Sequence, residues 1–98
     1  MSLAVSFRRA AREEFIEAAA WYELRRLKLG VEFIAEIDRC IALAADQPQF
    51  FAPIHNGIRR VVAKRFPYAI YYRTEARRIV VLAVFHVSPD PVNWQQRA

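Results

Sequence analysis

The sequence predicts an α+β domain in which a helical hairpin packs on a small, mostly antiparallel sheet. Three observations support this fold class: an alternating segment at the amino terminus, two long segments with helical spacing of apolar residues, and three strand-like segments in the second half. The 98 residues suffice for a single domain, 1–98, and a hydrophobic content of 55% excludes a disordered chain. The predicted order of elements is β-α-α-β-β-β.

The first half of the chain predicts one strand and two helices. Residues 3–7 alternate between large apolar and small side chains, which is the period of a short strand. Apolar residues then recur every three or four positions, which predicts a helix over residues 8–29. We expect Gly30 to adopt the left-handed conformation that ends this helix. The same spacing predicts a second helix that ends near Asp46, before Pro48.

The second half predicts three consecutive antiparallel strands. Residues 58–65, 68–74 and 78–87 are rich in Val, Ile, Tyr and Phe, and turn-forming residues precede and separate them. The last of these strands is apolar at nearly every position, so we expect both of its faces to be covered. Residues 48–57 are predicted to form a loop, and residues 92–97 a terminal turn of helix.

Composition excludes several classes of protein. No apolar run approaches the roughly 18–20 residues of a membrane-spanning helix, and the amino terminus lacks the pattern of a signal peptide, so we expect a cytoplasmic protein. One cysteine, Cys40, permits neither an internal disulfide nor a zinc site built from several cysteines. Two glycines cannot supply a phosphate-cradling loop, and no serine is framed by glycines as a nucleophile. We therefore expect no cofactor and no metal.

Positive charge is concentrated in the second half of the chain. Residues 1–48 carry seven Lys or Arg against eight Asp or Glu, whereas residues 49–98 carry eight against two. Such a basic half favours an anionic partner, either nucleic acid or an acidic protein segment, and the alternative is a solvated face that keeps the protein soluble. The candidate binding residues combine this charge with aromatic rings: Arg59, Arg60, Lys64, Arg65, Tyr68, Tyr72, Arg73 and Trp21.

Other side chains have a functional and a structural interpretation. His86 closes the last strand, where it would serve as a general acid or base or simply as a hydrogen-bonded structural residue. Trp21 lies off the apolar stripe of the first helix, so it either covers a helix edge or meets a partner. The acidic residues Glu13, Glu14 and Glu17 are expected to complement the dipole at the start of that helix.

Several segments, taken in order, are similar to those of a known family. These segments are Trp21-Tyr22, Gly30-Val31-Glu32-Phe33, RFPYAIYY at 65–72, IVVLAVFH at 79–86 and PVNWQQR at 91–97. Their order and spacing resemble the RelE/ParE superfamily of type II toxins, and within it the ParE-like, plasmid-stabilisation branch. The resemblance covers nearly the whole chain. It implies a bacterial toxin held in a hetero-oligomer by a cognate antitoxin, whose tail wraps the helical hairpin and the sheet.

The resemblance implies one of two mechanisms. ParE-like members poison DNA gyrase by binding, whereas RelE-like members enter the ribosome and cut mRNA with basic residues. The ribonucleases carry an arginine directly after the aromatic that opens the middle strand, and here that position is Ala69. Members of the branch usually carry another arginine three residues after the strand-ending histidine, and here that position is Pro89. The resemblance therefore favours gyrase inhibition without catalytic residues. The alternatives are a ribonuclease and an inactive member that only binds its antitoxin; the ribonuclease would use Arg60, Lys64, Arg65 and His86.

Overall fold

The computed structural model describes residues 2–87, which form a five-stranded mixed sheet with two helices on one face. The strands are β1 (Ala4–Phe7), β2 (Pro53–His55), β3 (Ile58–Val62), β4 (Tyr68–Glu75) and β5 (Arg78–His86), and the helices are α1 (Arg9–Arg25) and α2 (Leu29–Asp46). The structure confirms the predicted fold class and order of elements, and it adds one strand, β2. The predicted helical turn at 92–97 lies outside the described residues.

The strands lie in the order β1-β5-β4-β3-β2. β1 pairs parallel to β5, and the other three pairings are antiparallel. The backbone N–H of Leu3 donates to the carbonyl of Ala45 at 2.9 Å, and that of Arg8 donates to the carbonyl of Val81 at 3.0 Å. These bonds attach the amino terminus to both α2 and the sheet.

The pairing of β4 with β5 contains a bulge. Tyr71 lies opposite Ala83 and Tyr72 lies opposite Val81, so Leu82 is an extra residue on β5. The bulge changes which side chains face the helices. Val81 and Val84 both pack in the core beneath the helices, although they are three residues apart.

Apolar clusters form on both faces of the sheet. The main core lies between the helices and the sheet, and Phe33, Ile37, Ile70 and Tyr72 contribute to it. The face without helices carries a second cluster: Ile58, Ala69, Tyr71, Val80, Leu82 and Ala83, with Phe85 packed against it. Residues 79–84 are buried throughout, which confirms that both faces of the last strand are covered.

The connection between the helices differs from the prediction for Gly30. Lys28 adopts the left-handed conformation, with φ of 71°, and Gly30 lies in the first turn of α2. A Cβ atom at position 30 would lie 2.5 Å from the carbonyl oxygen of Ala19. The prediction of a left-handed cap is therefore wrong: the glycine permits close approach of the helices. The Glu23 carboxylate accepts the N–H groups of Lys28 and Gly30 at 2.8 and 3.0 Å and fixes the turn.

The segment between α2 and β3 also differs from the predicted loop. Its residues 53–55 form β2, a short edge strand that pairs with β3. Pro53 is the first residue of this edge strand, a position where proline is tolerated. Asn56 and Gly57 form the turn with φ of 46° and 77°. Across residues 2–87, neither helix is long and apolar enough to cross a membrane.

Candidate functional site

A groove of about 610 Å³ lies between α1 and the ends of β4 and β5. We call it the α1–β5 groove, and its described lining consists of Glu14, Glu17, Ala18, Trp21, Tyr22, Pro67, Tyr68, Val84, Phe85 and His86. Helical spacing places the α1 residues along one wall. Tyr68 and His86 come together on the other wall because they are register partners of β4 and β5. The groove thus unites Trp21, Tyr68 and His86 of the predicted site.

An aromatic cluster supports the groove. The Tyr22 ring lies 4.9 Å from Phe66 and 6.1 Å from Tyr68 between centroids, and the Tyr68 ring lies 5.5 Å from His86. Such edge-to-face contacts fix ring orientations. Burial raises the pKa of both tyrosine hydroxyls above the ordinary value. Both therefore remain neutral hydrogen-bonding groups at physiological pH.

Two carboxylates occupy the α1 wall. Glu14 Oε1 accepts a hydrogen bond from the backbone N–H of Val84 at 3.0 Å, which ties α1 to β5. The Glu17 side chain is exposed. The prediction that these acids cap the helix is wrong, because α1 begins at Arg9 and its first turn contains no acidic residue. Sequence reasoning therefore missed Glu14 and Glu17 as groove residues; the available signal was their alignment with Trp21 on one side of α1.

Trp21 and His86 are both partly exposed within the groove. The Trp21 side chain keeps 51% of its surface exposed, while its ring contacts Tyr22 edge-on at 5.1 Å. The Arg25 guanidinium lies 4.2 Å from the indole centroid. His86 Nδ1 lies 3.1 Å from the carbonyl oxygen of Val87. Both rings are therefore positioned by neighbours and still face the groove.

Two of the predicted basic residues have structural partners within the fold. The Arg59 guanidinium donates a hydrogen bond to the carbonyl of Phe51. Arg73 Nε donates to Glu75 Oε2 at 2.8 Å. These contacts hold loops and strand ends, and they lie away from the residues that line the α1–β5 groove.

The remaining basic residues lie on β3 and in the turn that follows it. Arg65 Nη2 forms an ion pair with Glu32 Oε1 at 2.7 Å, and the backbone N–H of Lys64 donates to Glu36 Oε2 at 2.7 Å. The side chains of Arg60 and Lys64 are exposed, and neither forms an ion pair within the described part of the chain. Arg60 thus remains open to a partner, whereas the charge of Lys64 acts on the Glu36 carboxylate of α2.

Tyr72, one of the predicted binding residues, and Ala69 are both buried. The Tyr72 side chain is fully buried, and its hydroxyl donates to the carbonyl of Pro48 at 2.8 Å. This places Tyr72 in the core rather than on a binding surface. Ala69, at the position where the sequence resemblance implies an arginine in ribonuclease members, is also fully buried, in the cluster on the helix-free face. Within residues 2–87, no group of three or more His, Cys, Asp or Glu side chains is arranged to hold a metal ion.

Comparison with known proteins identifies the family. A family model described as the ParE toxin of the type II toxin–antitoxin system parDE matches residues 5–91. The structure is similar to a chain of the chromosomal ParDE toxin–antitoxin system from P. aeruginosa, with a TM-score of 0.75 and 16% identity over 89% of this chain and 98% of that one. It is also similar to a chain of the RelBE2 toxin–antitoxin complex from Mycobacterium tuberculosis, with a TM-score of 0.60 and 18% identity over 88% and 99%. No curated protein matches the chain in sequence.

The two structural likenesses establish the fold, and the family model establishes membership. The segment matched by the model contains both helices and strands β2 to β5, and with them the entire described lining of the α1–β5 groove. This confirms the resemblance seen in the sequence. The chain belongs to the ParE toxin family of type II toxin–antitoxin systems.

Proposed function

We propose that this protein is a cytoplasmic toxin that inhibits DNA gyrase by binding it, without chemistry of its own, and that a cognate antitoxin neutralises it. Membership of the ParE toxin family supports the toxin–antitoxin role. The structure supports the second part of the proposal, the choice of gyrase as the target. The observation that carries it is the negative charge of the α1–β5 groove around His86.

A ribonuclease needs positive charge where the scissile phosphate lies. Cleavage by the ribose 2′-hydroxyl builds negative charge on that phosphate, and losing one preorganised electrostatic group costs about 10²–10³-fold in rate. The groove offers two carboxylates, Glu14 and Glu17, and its described lining includes no Lys or Arg. The Arg65 guanidinium is held by Glu32, and Ala69 is neutral and buried. This arrangement favours binding over phosphate chemistry.

The outer face of β3 supplies a binding surface for an acidic target. Arg60 and Val62 flank the helix-facing Val61 on β3, so their side chains point away from the helices. Both are exposed, and Val62 keeps 51% of its surface accessible. The exposed Lys64 follows in the turn after β3, where its charge acts on the Glu36 carboxylate of α2. A cation beside an exposed apolar side chain suits an acidic protein surface. We assign Arg60 and Val62 to target binding.

The helical hairpin supplies apolar surface for an antitoxin. Ile16, Leu24, Leu27 and Val31 are each more than half exposed, and Leu24 keeps 86% of its surface accessible. Leu24, Leu27 and Val31 lie in or beside the turn between the helices, and exposed apolar surface of this kind marks an interaction site. A segment that folds on binding would cover them, as expected for an antitoxin tail.

The target is tested with purified DNA gyrase. The free protein is expected to inhibit supercoiling of relaxed plasmid, because it blocks the enzyme directly. The Arg60→Ala variant should inhibit about tenfold less, since it loses one charged contact. The matched control is Arg77→Ala, which removes the same charge from an exposed turn between β4 and β5. Unchanged supercoiling at micromolar excess of the wild-type protein refutes gyrase as the target.

The same proposal is tested in cells. Expression without antitoxin is expected to arrest growth while mRNA remains intact in primer extension. New ends at codon positions of translated messages would instead establish the ribonuclease mechanism. Normal growth would identify an inactive member that only binds its antitoxin. The antitoxin is expected to be the product of the adjoining gene and to copurify with this protein.

A further inference from the structure

We propose that the α1–β5 groove binds a lysine or arginine side chain, flanked by apolar residues, from the antitoxin segment that neutralises this protein. The inference rests on the proposed toxin–antitoxin function, and it specifies the chemistry of one contact. It concerns the groove lined by α1 on one side and by the ends of β4 and β5 on the other.

The charge of the groove opposes the charge of the protein. The chain carries a net charge of +5, whereas the described groove residues include two carboxylates, one histidine and no Lys or Arg. Glu14 and Glu17 are three residues apart on α1, and side chains at this spacing are neighbours on a helix. The exposed Glu17 carboxylate attracts a cation placed beside it. Charge complementarity therefore selects a cationic occupant.

Of the two groove carboxylates, that of Glu17 is the one available to accept hydrogen bonds from this cation. Glu14 Oε1 accepts the Val84 N–H at 3.0 Å, so the Glu14 side chain is fixed in place. Glu17 lies one turn further along α1, is exposed, and has no hydrogen bond or ion pair within residues 2–87. An ionised carboxylate only accepts hydrogen bonds, whereas a guanidinium or ammonium group only donates them, so the two groups are complementary. Glu17 is accordingly the main anionic contact.

The aromatic walls suit the same cation. Trp21 follows Glu17 by one helical turn, and its indole already packs against the Arg25 guanidinium at 4.2 Å. Across the groove, the Tyr68 and His86 rings meet edge to face with centroids 5.5 Å apart. Aromatic faces attract Arg and Lys side chains, and more strongly where water is excluded. The apolar remainder of the lining accommodates the flanking residues of a peptide.

The size of the groove fits a short peptide stretch and not a longer element. A volume of about 610 Å³ lies within the range of about 300–1,000 Å³ that is typical of ligand pockets. A nucleic acid is an unsuitable occupant, because its phosphates would face the two carboxylates. The protein partner is therefore favoured over RNA for this groove, whereas Arg60 of β3 lies on the face of the sheet without helices.

The first experiment measures binding of N-acetyl-argininamide to the ¹⁵N-labelled full chain by NMR, with N-acetyl-citrullinamide as a neutral analogue of the same shape. The arginine compound is expected to shift the Trp21 indole N–H and the amides of Tyr68 and His86, and the citrulline compound is not. Glu17→Gln should weaken binding about fivefold to tenfold, as for loss of a charged contact. Glu13→Gln, one turn earlier and outside the groove lining, should bind as the wild type does.

Four results would overturn the proposal. One is equal binding of the citrulline compound, and another is equal weakening by Glu13→Gln and Glu17→Gln. The third is stronger binding of the arginine compound to Arg97→Gln, which would make the chain's own arginine the occupant. A single-stranded RNA oligonucleotide that shifts the same resonances would also overturn it, in favour of nucleic acid.

The second experiment uses the antitoxin itself and tests the groove contact separately from the toxin–antitoxin function. Calorimetry is expected to show that Glu17→Lys lowers antitoxin affinity by about tenfold or more, whereas Glu13→Lys leaves it unchanged. Equal affinity of both variants refutes the groove contact and leaves the toxin–antitoxin function intact. Failure of the wild-type protein to bind the product of the adjoining gene refutes the proposed function, while the NMR result still reports on the groove.

Discussion

The carboxylate of Glu36 connects α2 to the turn that carries Lys64 and Arg65, and its replacement by glutamine should destabilise the protein in a pH-dependent way. Glu36 Oε1 accepts from Arg39 Nε at 2.8 Å, and Oε2 accepts from Arg39 Nη2 at 2.8 Å and from the backbone N–H of Lys64 at 2.7 Å. Hydrogen bonds from Arg39 and then from Lys64 lower the pKa of Glu36 from 4.5 to about 2, against the opposing effect of burial. Glu36→Gln keeps the shape and removes the charge.

The magnitude follows from this change in pKa. A lowering of the pKa of Glu36 from 4.5 to about 2 corresponds to at most about 3 kcal/mol, at roughly 1.4 kcal/mol per pH unit. Solvent screens the pair, because the Arg39 side chain is 41% exposed while that of Glu36 is 14% exposed. We therefore expect Glu36→Gln to lower the free energy of unfolding at pH 7 by about 1–2 kcal/mol.

The pH dependence has a defined sign. A carboxylate with a lowered pKa stabilises the folded state above the unfolded pKa, and this contribution disappears as pH falls through the folded pKa. The stability difference between wild type and Glu36→Gln should thus be complete above about pH 5 and shrink between pH 4.5 and 2. Urea denaturation followed by circular dichroism at several pH values measures it, with Glu13→Gln as the exposed control. A difference that is the same at pH 7 and pH 2.5 would contradict this reasoning.

Two further substitutions and one labelling experiment test the packing of the protein. Gly30→Ala should destabilise the protein by about 1–3 kcal/mol in urea denaturation, because the added Cβ would lie 2.5 Å from the Ala19 carbonyl oxygen; unchanged stability would contradict the close approach of the helices. Tyr72→Phe should cost about 1 kcal/mol in the same assay, because the bond to the Pro48 carbonyl is lost, and a neutral effect would mean that this bond adds nothing. Burial raises the pKa of the Cys40 thiol, so a disulfide reagent should label it only after unfolding; rapid labelling of the native protein would show that it is accessible.

The fold was predictable because its determinants are local patterns. The helical spacing of apolar residues defines α2, and the dense β-branched and aromatic composition defines β4 and β5. β2 has three residues that begin with a proline, and it depends on pairing with β3, so no local pattern reveals it. The role of Gly30 was missed for a related reason. A glycine after a helix usually caps it, whereas this one is required by a carbonyl on the neighbouring helix.

The candidate site was predictable only in part, because it depends on which side chains the fold brings together. Aromatic residues such as Trp21 and Tyr68 could be named from the sequence, and both line the groove. The partner of Arg65 could not be foreseen, since Glu32 lies on another element. The partner of Arg73 is Glu75, two residues later on the same strand. Ion pairs of this kind turn predicted binding residues into structural ones.

The parallel pairing of β1 with β5 has a consequence for synthesis of the protein. Ala4 pairs with Arg78, 74 positions later, so the amino-terminal strand has no partner until the last strand leaves the ribosome. At a typical rate of about 5–20 residues per second, the nascent chain spends several seconds in this state. Val84, Phe85 and His86, which line one wall of the α1–β5 groove, are translated last among the described elements. A polypeptide that terminates early lacks this wall, so interrupted translation yields products without the surface that a partner would engage.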